Sequence, residues 1–475
     1  IAGDKAFNWQ QNFEKVFAKG GFDVIIGNPP YGAFIDANSK DFYQRKMKTF
    51  QGNFEIYFFF IELVSSIIKA NGKIGYITPD TWISIPQAQK LREHVLSEYG
   101  INKIIVFKNS VFDDASLNAI VFILNYKNIN EQCEIINFDS KTDNFSNFSN
   151  NTKIAIIDNW RNSDDKQFQV LQKKIDIKII DKIKQKSSIG ENFLDVCQGI
   201  VPYSTEHLTK EEIKNRVFHS ETKIDDNYGL WIQGRSINRY SINVLKEEYL
   251  NYGNWLHRAR KFKYFLEDRI LIQEITGGIP PRISAVNYTG KLFHDPGIIS
   301  CLNKSELSTK YLLVLINSKL ISWFNIMTSP KGNRLTFPKI LIGDIRRLPI
   351  FESNSKKQQP FIEKADLMLE LNKTLQQQQS KVINMLQRDY GLEKPTKKLE
   401  TWYELSLQSF FAELAKAKIV LSAVQKDEVQ EYFETYQKQA VATKNQIIAT
   451  DKQIDTMVYE LYRLSAEEIE IVENS

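Results

Sequence analysis

Cysteine is scarce in this chain. Its 475 residues include only Cys133, Cys197 and Cys301, which lie far apart and form no CxxC pair. Scattered cysteines of this kind favour a reducing compartment and argue against a zinc or iron–sulfur site. From the sequence we therefore expect no metal centre in this chain.

Long apolar runs and a strong net charge are also missing. No apolar stretch approaches the length of a membrane span, and no signal peptide opens the chain, so we expect no membrane partner. The composition, with 42% hydrophobic and 25% charged residues, is that of an ordinary globular protein. The net charge of +5 is modest for this length, so a surface that binds a polyanion has to come from local clustering of charge.

The length is enough for about two to four domains, each able to bury its own core. The first residue is Ile1 rather than Met, and a strand followed by a rigid turn comes almost at once. We therefore expect this chain to be a piece of a longer protein.

The motif Asn-Pro-Pro-Tyr at residues 28–31 directly follows a short apolar run, Phe22–Gly27. The β-branched residues of that run predict a buried parallel strand, and its last glycine lets the backbone turn sharply. The two prolines fix the next φ angles and remove two N–H groups, so the carbonyls beside them are held stiffly. An amide side chain, a rigid carbonyl and an aromatic ring therefore meet at the carboxyl end of a strand. Ligands bind at that edge in open α/β sheets.

Helices and strands alternate after this motif. The predicted elements are a helix at Phe54–Ile68 that ends at an Asn-Gly cap, a strand at Lys73–Pro79, a helix at Gln87–Tyr99, and strands at Ile101–Phe107 and Ala119–Asn125. Such alternation predicts an α/β fold with a doubly wound parallel sheet. The last two strands are joined by a loop too short for a crossover helix. We therefore expect them to pair antiparallel, as a hairpin that closes one edge of the sheet.

The order of these elements resembles the catalytic half of the gamma-class (Taq-like) adenine-N6 DNA methyltransferases. The second strand ends in Thr-Pro-Asp-Thr-Trp at residues 78–82, as expected for that order, and the stretch Asp451–Glu473 resembles the end of type IIG (Eco57I-like) restriction–modification enzymes. The resemblance implies a Rossmann-like methyltransferase sheet, here partial. It also implies methyl transfer from S-adenosylmethionine to an adenine in double-stranded DNA, by a monomer in the bacterial cytoplasm.

Each residue of the motif has a role in that family, which binds an adenine flipped out of the duplex. The resemblance implies that the Asn28 side chain and the Pro29 carbonyl accept hydrogen bonds from the adenine amino group, with Pro30 keeping the turn rigid and Tyr31 stacking on the base. Phe112 stands where the family offers a second aromatic ring to the base, and a core residue of the hairpin is the alternative reading. Stacking on aromatic rings would offset the few kcal/mol that extrusion of a base costs.

A cofactor loop is not evident in the sequence. Methyltransferases of this kind hold S-adenosylmethionine on a glycine-rich loop that follows the first strand. The 27 residues before Asn28 contain no such loop, and Gly20-Gly21, Gly72 with Gly75, and Gly277-Gly278 lack the strand–loop–helix context. No cofactor-binding residue is therefore identified, and we expect the chain by itself to bind S-adenosylmethionine weakly or not at all. Magnesium is expected only if a nuclease domain lies upstream.

Positive charge is concentrated in the middle of the chain. Between Arg258 and Arg347 there are 15 Lys and Arg against 6 Asp and Glu, a local charge of +9, and aromatic residues are interleaved at Arg258–Tyr264. This is the pattern expected of a surface that binds duplex DNA, although a solvated basic face is the alternative.

The same region resembles the target-recognition domain of Taq-like and type IIG proteins, in the stretches Gly234–Tyr240, 279–297 and 337–349. In such a domain some polar and basic side chains read base edges and others bind phosphates. The residues expected to bind DNA are Arg235, Arg258, Arg260, Lys261, Lys263, Arg282, Lys331, Asn333 and Arg334.

These patterns and the family resemblance together imply four segments. They are the C-terminal half of the methyltransferase domain at 1–160, a bridging helix at 161–188, an α+β target-recognition domain at 189–352, and an α-helical C-terminal region at 353–475. The helical region is too polar and too often interrupted for a long coiled coil, so we expect antiparallel helices.

The sequence allows two alternative functions and lets us reject a third. The same motif serves methyltransferases that act on RNA or on protein glutamine, but those need no basic recognition domain. The chain could also be a DNA-binding specificity fragment without activity of its own. Asp195 with Glu212-Ile213-Lys214 superficially resembles a metal-dependent nuclease pattern, which we reject because Thr209–Phe218 predicts a capped helix where a strand is needed.

Overall fold

The structure is a computed structural model that describes residues 7–32, 35–52, 54–107, 119–139, 152–163, 166–168, 170, 174–244, 247–278, 280–329 and 338–474. The chain divides into two compact units, residues 1–173 and residues 174–475. The finer division into four segments stays a prediction.

Unit 1 is an α/β unit. Its strands are β1 (Phe22–Gly27), β2 (Ile68–Pro79), β3 (Tyr99–Phe107), β4 (Ala119–Tyr126), β5 (Gln132–Phe138) and β6 (Thr152–Ile156). Its helices are α1 (Trp9–Asn12), α2 (Glu14–Phe17), α3 (Ala37–Lys46), α4 (Tyr57–Val64), α5 (Gln89–Glu98) and α6 (Ile157–Arg161).

These six strands form one mixed sheet in the order β1-β2-β4-β3-β5-β6. The pairs β1/β2 and β3/β5 are parallel, and the other three pairs are antiparallel. The α/β fold class is confirmed, as is the antiparallel pairing of β3 with β4. The prediction that this hairpin closes an edge was wrong, because β4 lies inside the sheet between β2 and β3. Its alternate side chains Ile120, Phe122 and Leu124 are buried there, so apolar partners on the neighbouring strands hold it in the interior.

The first strand is less buried than its sequence predicted. Within the described sheet β1 pairs only with β2 and lies at the edge. Val24 is 54% exposed and Ile26 is 82% exposed, whereas Ile25 packs against the core. An apolar run indicates a strand, but the number of its neighbours depends on the rest of the sheet.

Asn71 and Gly72 do not cap a helix, contrary to the prediction. Helix α4 ends at Val64, and both residues lie within β2, where the pairing with β1 shifts register between Phe22 and Val24. Asn71 has a φ of 63°, so the Asn-Gly pair forms an irregularity in the strand. A left-handed backbone conformation occurs both at helix ends and in strand bulges. The sequence alone therefore does not distinguish a helix cap from a bulge at this Asn-Gly pair.

Unit 2 carries a larger number of short elements. Its strands are β7 (Ser188–Ile189), β8 (Leu194–Gln198), β9 (His219–Ser220), β10 (Tyr228–Ile232), β11 (Ile237–Asn238), β12 (Ser241–Ile242), β13 (Tyr249–Asn251), β14 (Arg269–Gln273), β15 (Ala285–Tyr288), β16 (Phe293–His294), β17 (Ile298–Asn303) and β18 (Pro349–Ile350). Its helices are α7 (Lys174–Gln185), α8 (Lys210–Lys214), α9 (Thr309–Asn317), α10 (Lys319–Thr328), α11 (Ile342–Arg347), α12 (Ser355–Tyr390), α13 (Lys397–Glu400), α14 (Leu407–Lys416), α15 (Ala423–Leu461) and α16 (Ala466–Glu473).

The strands of unit 2 form two four-stranded sheets, β16-β10-β13-β9 and β15-β14-β17-β8, with two small strand pairs beside them. The second sheet packs on α9 and α10, whose buried side chains fill the largest core of the unit. Taken together, the bent pair α9 and α10 has the length and apolar composition of a membrane span, whereas no single helix in the described ranges does.

Two long helices dominate the C-terminal part of unit 2. Helix α12 has 36 residues and α15 has 39. They run antiparallel, because Lys364 near the start of α12 donates to Gln453 near the end of α15 at 2.7 Å, and Tyr390 at the other end of α12 meets Glu428 at 3.5 Å. The predicted antiparallel arrangement is confirmed, although the helices are longer than their polar interruptions indicated.

Candidate functional site

The motif at residues 28–31 begins where β1 ends. Gly27 pairs with Tyr76 of the parallel strand β2, so the carboxyl ends of both strands lie at the same edge of the sheet. A Cβ atom at Gly27 would lie 3.1 Å from Cε1 of Tyr76, closer than most real contacts of that kind. The glycine therefore allows the ring of Tyr76 to pass under the start of the turn.

The four residues of the motif differ in exposure. Asn28 and Pro30 are exposed, Pro29 is buried, and Tyr31 is half-buried with its ring packed against the core of unit 1. The turn is thus anchored by the buried Pro29 and by the packing of Tyr31 against the core. The Asn28 carboxamide remains at the surface, where a ligand can reach it.

A glutamate that sequence reasoning missed holds the end of the motif. The N–H of Gly32, a residue with a φ of +67°, donates to Oε2 of Glu55 at 3.1 Å. Glu55 stands two residues before α4, which packs against the sheet. A glutamate just before a helix is a common sequence feature, so only the tertiary contact reveals this one.

The end of β2 forms the second wall of this edge. The indole N–H of Trp82 donates to Oγ1 of Thr78 at 3.1 Å, and the fully buried guanidinium of Arg92 donates to the carbonyls of Trp82 and Ile85 at 2.8 and 2.7 Å. These bonds fix the turn at residues 78–85. The predicted Thr-Pro-Asp-Thr-Trp stretch therefore has a defined backbone next to the strand that carries the motif.

The tyrosines under this edge stay neutral at ordinary pH. Burial raises the pKa of Tyr76 to about 12. Burial raises the pKa of Tyr57 further, with smaller contributions from the carboxylates of Glu55 and Asp80, while its hydroxyl meets Oγ1 of Thr81 at 3.2 Å. The tyrosines therefore give this edge an uncharged aromatic surface. The Asn28 side chain and the Pro29 carbonyl carry no titrating group, so both can accept hydrogen bonds at ordinary pH.

Phe112, the predicted second aromatic of the site, lies outside the described residues. Its role in stacking stays a prediction. The same holds for Lys331, Asn333 and Arg334 of the predicted DNA-binding set.

The other predicted DNA-binding cations lie in unit 2 and fall into two groups. Arg235, Arg258 and Lys261 have exposed side chains. The exposed rings of Trp255 and Phe262 lie in the same stretch as the last two. Exposed cations with exposed aromatic rings beside them are the arrangement expected of a surface that binds nucleic acid.

Two further cations are engaged within unit 2. Nε of Arg260 donates to the Gly199 carbonyl at 3.3 Å. Nζ of Lys263 lies 2.6 Å from Oδ2 of Asp195, an exposed ion pair whose contribution to stability is small. Hydrogen bonds from Lys263 and Tyr264 lower the pKa of Asp195. Asp195 is thus tied to its neighbours. The predicted capped helix after Thr209 is confirmed, with Thr209 and Glu212 in a capping box, although α8 ends at Lys214 rather than at Phe218.

Arg282 belongs to an interior network. Its guanidinium lies 3.1 Å from Asp451 and 3.4 Å from Asp455, and it donates to the Asn317 carbonyl at 3.1 Å. Arg239 forms a bidentate ion pair with Asp451, in which each terminal nitrogen donates to one carboxylate oxygen. Arg282 therefore connects the stretch before β15 to α15.

The pKa values of the two aspartates in this network move in opposite directions. Burial opposes the charge of Asp451, but the hydrogen bond and charge of Arg239, with Arg282, hold its pKa below the ordinary value. Burial dominates at Asp455 and raises its pKa in spite of Arg282. Asp451, which pairs with both Arg239 and Arg282, is therefore the carboxylate that the network stabilises most in its charged form.

Comparison with protein families matches three separate segments. Residues 1–112 match the Eco57I restriction-modification methylase family, and residues 230–350 match the TaqI-like C-terminal specificity domain. Residues 354–458 match a domain of unknown function.

Two curated proteins illustrate the similarity. A Methanocaldococcus jannaschii protein, named as a type II restriction enzyme and methyltransferase, is 26% identical over 362 residues, which cover 74% of this chain and 29% of that protein. The type II restriction enzyme and methyltransferase RM.Eco57I of Escherichia coli is 30% identical over 204 residues, which cover 41% of this chain and 20% of that protein. The chain thus spans less than a third of the length of these two relatives.

Among solved structures, the type IIL restriction–modification enzyme MmeI in complex with DNA aligns with a TM-score of 0.50 and 11% identity. The alignment covers 91% of this chain and 57% of that one. At this identity the alignment shows likeness of fold.

Proposed function

We propose that this chain supplies the adenine-binding and DNA-recognition parts of a site-specific DNA adenine-N6 methyltransferase. The chain is homologous to type II restriction–modification enzymes and methyltransferases, and it carries an Eco57I-type methylase segment and a TaqI-like specificity domain. The observation that carries the proposal is the rigid Asn-Pro-Pro-Tyr turn at the carboxyl end of β1, with its amide at the surface and its tyrosine held against the core.

The chemistry of an exocyclic amine explains the choice of residues. The lone pair of an aromatic amine is spread into the ring, so the amine is a poor nucleophile. Two fixed acceptors, the Asn28 side-chain oxygen and the Pro29 carbonyl, would bind its two hydrogens and concentrate the lone pair on nitrogen. Tyr31 would stack on the flipped base and hold it in plane with these acceptors. Neither acceptor needs to change its protonation state.

S-adenosylmethionine, when bound, would supply an electrophilic methyl group. The described residues around the motif do not fit its nucleoside part. Gly20 and Gly21 have positive φ angles, but they precede β1, and Gly21 lies against the backbone at Ile67–Lys69. They do not join a strand to a helix, so we assign no residue of this chain to binding the methyl donor.

The test is methyl transfer by the full-length protein to duplex DNA, with the modified nucleoside identified by mass spectrometry. We expect N6-methyladenine at one position of a short recognition sequence. Methylation of RNA or of a glutamine-containing peptide, with no product on DNA, would contradict the proposal.

Glu55 is expected to position the motif through Gly32. In the full-length protein, Glu55→Ala removes one hydrogen bond worth about 0.5–1.5 kcal/mol and should lower kcat roughly three- to tenfold, whereas Glu55→Gln keeps an acceptor and should restore activity. A 2-aminopurine at the target position reports base flipping by its fluorescence, and Glu55→Ala should lower that signal. Equal activity of the Ala and Gln variants would argue against this role.

The exposed cations of unit 2 are expected to contact phosphates. We expect Arg258→Ala and Lys261→Ala each to weaken duplex binding roughly three- to tenfold and to reduce the slope of log K against log salt by about one. Lys426, an exposed lysine on α15, provides the matched control, and its change to Ala should have a smaller effect. If the salt slope is unchanged in both variants, these side chains do not contact phosphates.

A further inference from the structure

Two histidines and one glutamate of unit 2 come together in the fold. One possible ligand atom each of Glu206, His207 and His257 lies within 4.8 Å of the other two. The chain has only 5 histidines, and these two belong to separate stretches of the sequence. Their convergence is therefore a product of the fold.

Backbone hydrogen bonds hold the two stretches side by side. The N–H of Val201 donates to the Arg258 carbonyl at 3.1 Å, and the N–H of Arg258 donates back to the Val201 carbonyl at 2.9 Å. The N–H of His257 donates to the Pro202 carbonyl at 3.2 Å. Main-chain hydrogen bonds thus set the position of His257 relative to the turn at Ser204–His207.

A compact turn presents the other two residues. The hydroxyl oxygen of Ser204 accepts the N–H of Glu206 at 3.2 Å, and its carbonyl accepts the N–H of His207 at 3.3 Å. The side chains of Glu206 and His207 are exposed and that of His257 is half-buried. Within the described ranges no residue donates a hydrogen bond to these three side chains or forms an ion pair with them, so their ligand atoms are available.

We propose that Glu206, His207 and His257 form a binding site for a divalent transition-metal ion of the Zn²⁺ class. Two imidazoles and a carboxylate are a donor set that this class of ion prefers, and three protein ligands leave a coordination position open to water or another oxygen ligand. The scarcity of cysteine bears on sites built from thiolates and does not affect this set.

Small side-chain movements would complete the site. Ligand atoms around a tetrahedral zinc ion at about 2.0–2.1 Å lie roughly 3.4 Å from one another. The three atoms therefore need to approach by at most about 1.4 Å, which rotation of the exposed Glu206 and His207 side chains towards the half-buried His257 provides. A bound ion would join the turn at Ser204–His207 to the stretch that carries Arg258, and would restrain both.

Cobalt is the probe that tests this site. The full chain, free of any affinity tag and carrying Cys197→Ser to remove the half-buried thiol, is titrated with Co²⁺ and followed by visible absorption, and Zn²⁺ is then added. We expect one Co²⁺ per chain, ligand-field bands of a site with four or five ligands, and displacement by Zn²⁺. Both His207→Ala and His257→Ala should weaken binding roughly tenfold or more, and the double variant should abolish it.

Glu211→Gln, at an exposed glutamate in the first turn of α8, is the matched control and should bind Co²⁺ as the parent does. Thermal melts without metal should be unchanged in His207→Ala and Glu211→Gln, whose side chains are exposed, and should change little in His257→Ala, whose side chain is half-buried. Saturable binding of one Co²⁺ in the double histidine variant, or no saturable binding in the parent, would overturn the proposal.

Discussion

Asn28→Ala in the full-length protein is expected to abolish methyl transfer to DNA. The change removes one of the two acceptors proposed for the adenine amino group and leaves the backbone turn in place. Loss of a single preorganised hydrogen bond at a reacting centre costs roughly 10²–10³-fold in kcat. Because the second acceptor cannot concentrate the lone pair alone, we expect the loss to reach at least the upper end of that range.

Three measurements separate this effect from misfolding. Asn28 is exposed, so its truncation should leave the thermal unfolding midpoint and the affinity for duplex DNA unchanged. Asn38→Ala, at an exposed asparagine in α3, should keep full activity as a matched control. Turnover of Asn28→Ala within about tenfold of the parent would falsify the role that we assign to this side chain.

Asp451→Ala is expected to destabilise unit 2 by roughly 1.5–3 kcal/mol, somewhat less than the loss of a partner from a fully buried ion pair. The change leaves Arg239 and Arg282, whose side chains are each 22% exposed, without their shared carboxylate. Removing one partner of a buried ion pair is costly because the remaining charge stays desolvated. Asp455 lies 3.4 Å from Arg282 and also accepts the N–H of Lys319, so it is already engaged and is a poor substitute for Asp451 at Arg239.

Urea unfolding of the full chain measures this loss in the transition of unit 2. Asp427→Ala, at an exposed aspartate of the same helix, should change the free energy of unfolding by less than about 0.5 kcal/mol. The double variant Arg239→Ala/Asp451→Ala should be less unstable than the sum of its single changes. Equal effects of Asp451→Ala and Asp427→Ala would mean that the network contributes nothing to stability.

The pH dependence of this contribution has a defined sign. The pKa of Asp451 is lower in the folded chain than its ordinary value of 3.8. Its contribution to stability is therefore fully present above pH 3.8 and is lost as the pH falls through the lower, folded-state pKa.

The network also shows where inference from sequence stops. Arg282 lies in a basic, glycine-containing stretch that resembles a DNA-binding turn, and nothing in that stretch distinguishes it from Arg258. Its partners Asp451 and Asp455 are far away in the chain, on α15. A basic residue near a predicted interface is free for DNA only if the fold does not bring a carboxylate to it.

The sequence by itself determined the features that depend on neighbouring residues. These are the α/β fold class, the strand before the Asn-Pro-Pro-Tyr turn, the capped helix after Thr209, and the resemblance to methylase and specificity domains. Local backbone preferences and the spacing of apolar residues are enough to encode them.

Only the tertiary structure decided which distant residues meet. It placed β4 inside the sheet, left Ile26 exposed at an edge, tied Gly32 to Glu55, and brought His257 to Glu206 and His207. Such contacts depend on how whole elements pack, and a short stretch of sequence carries no record of the partner that packing will bring to it.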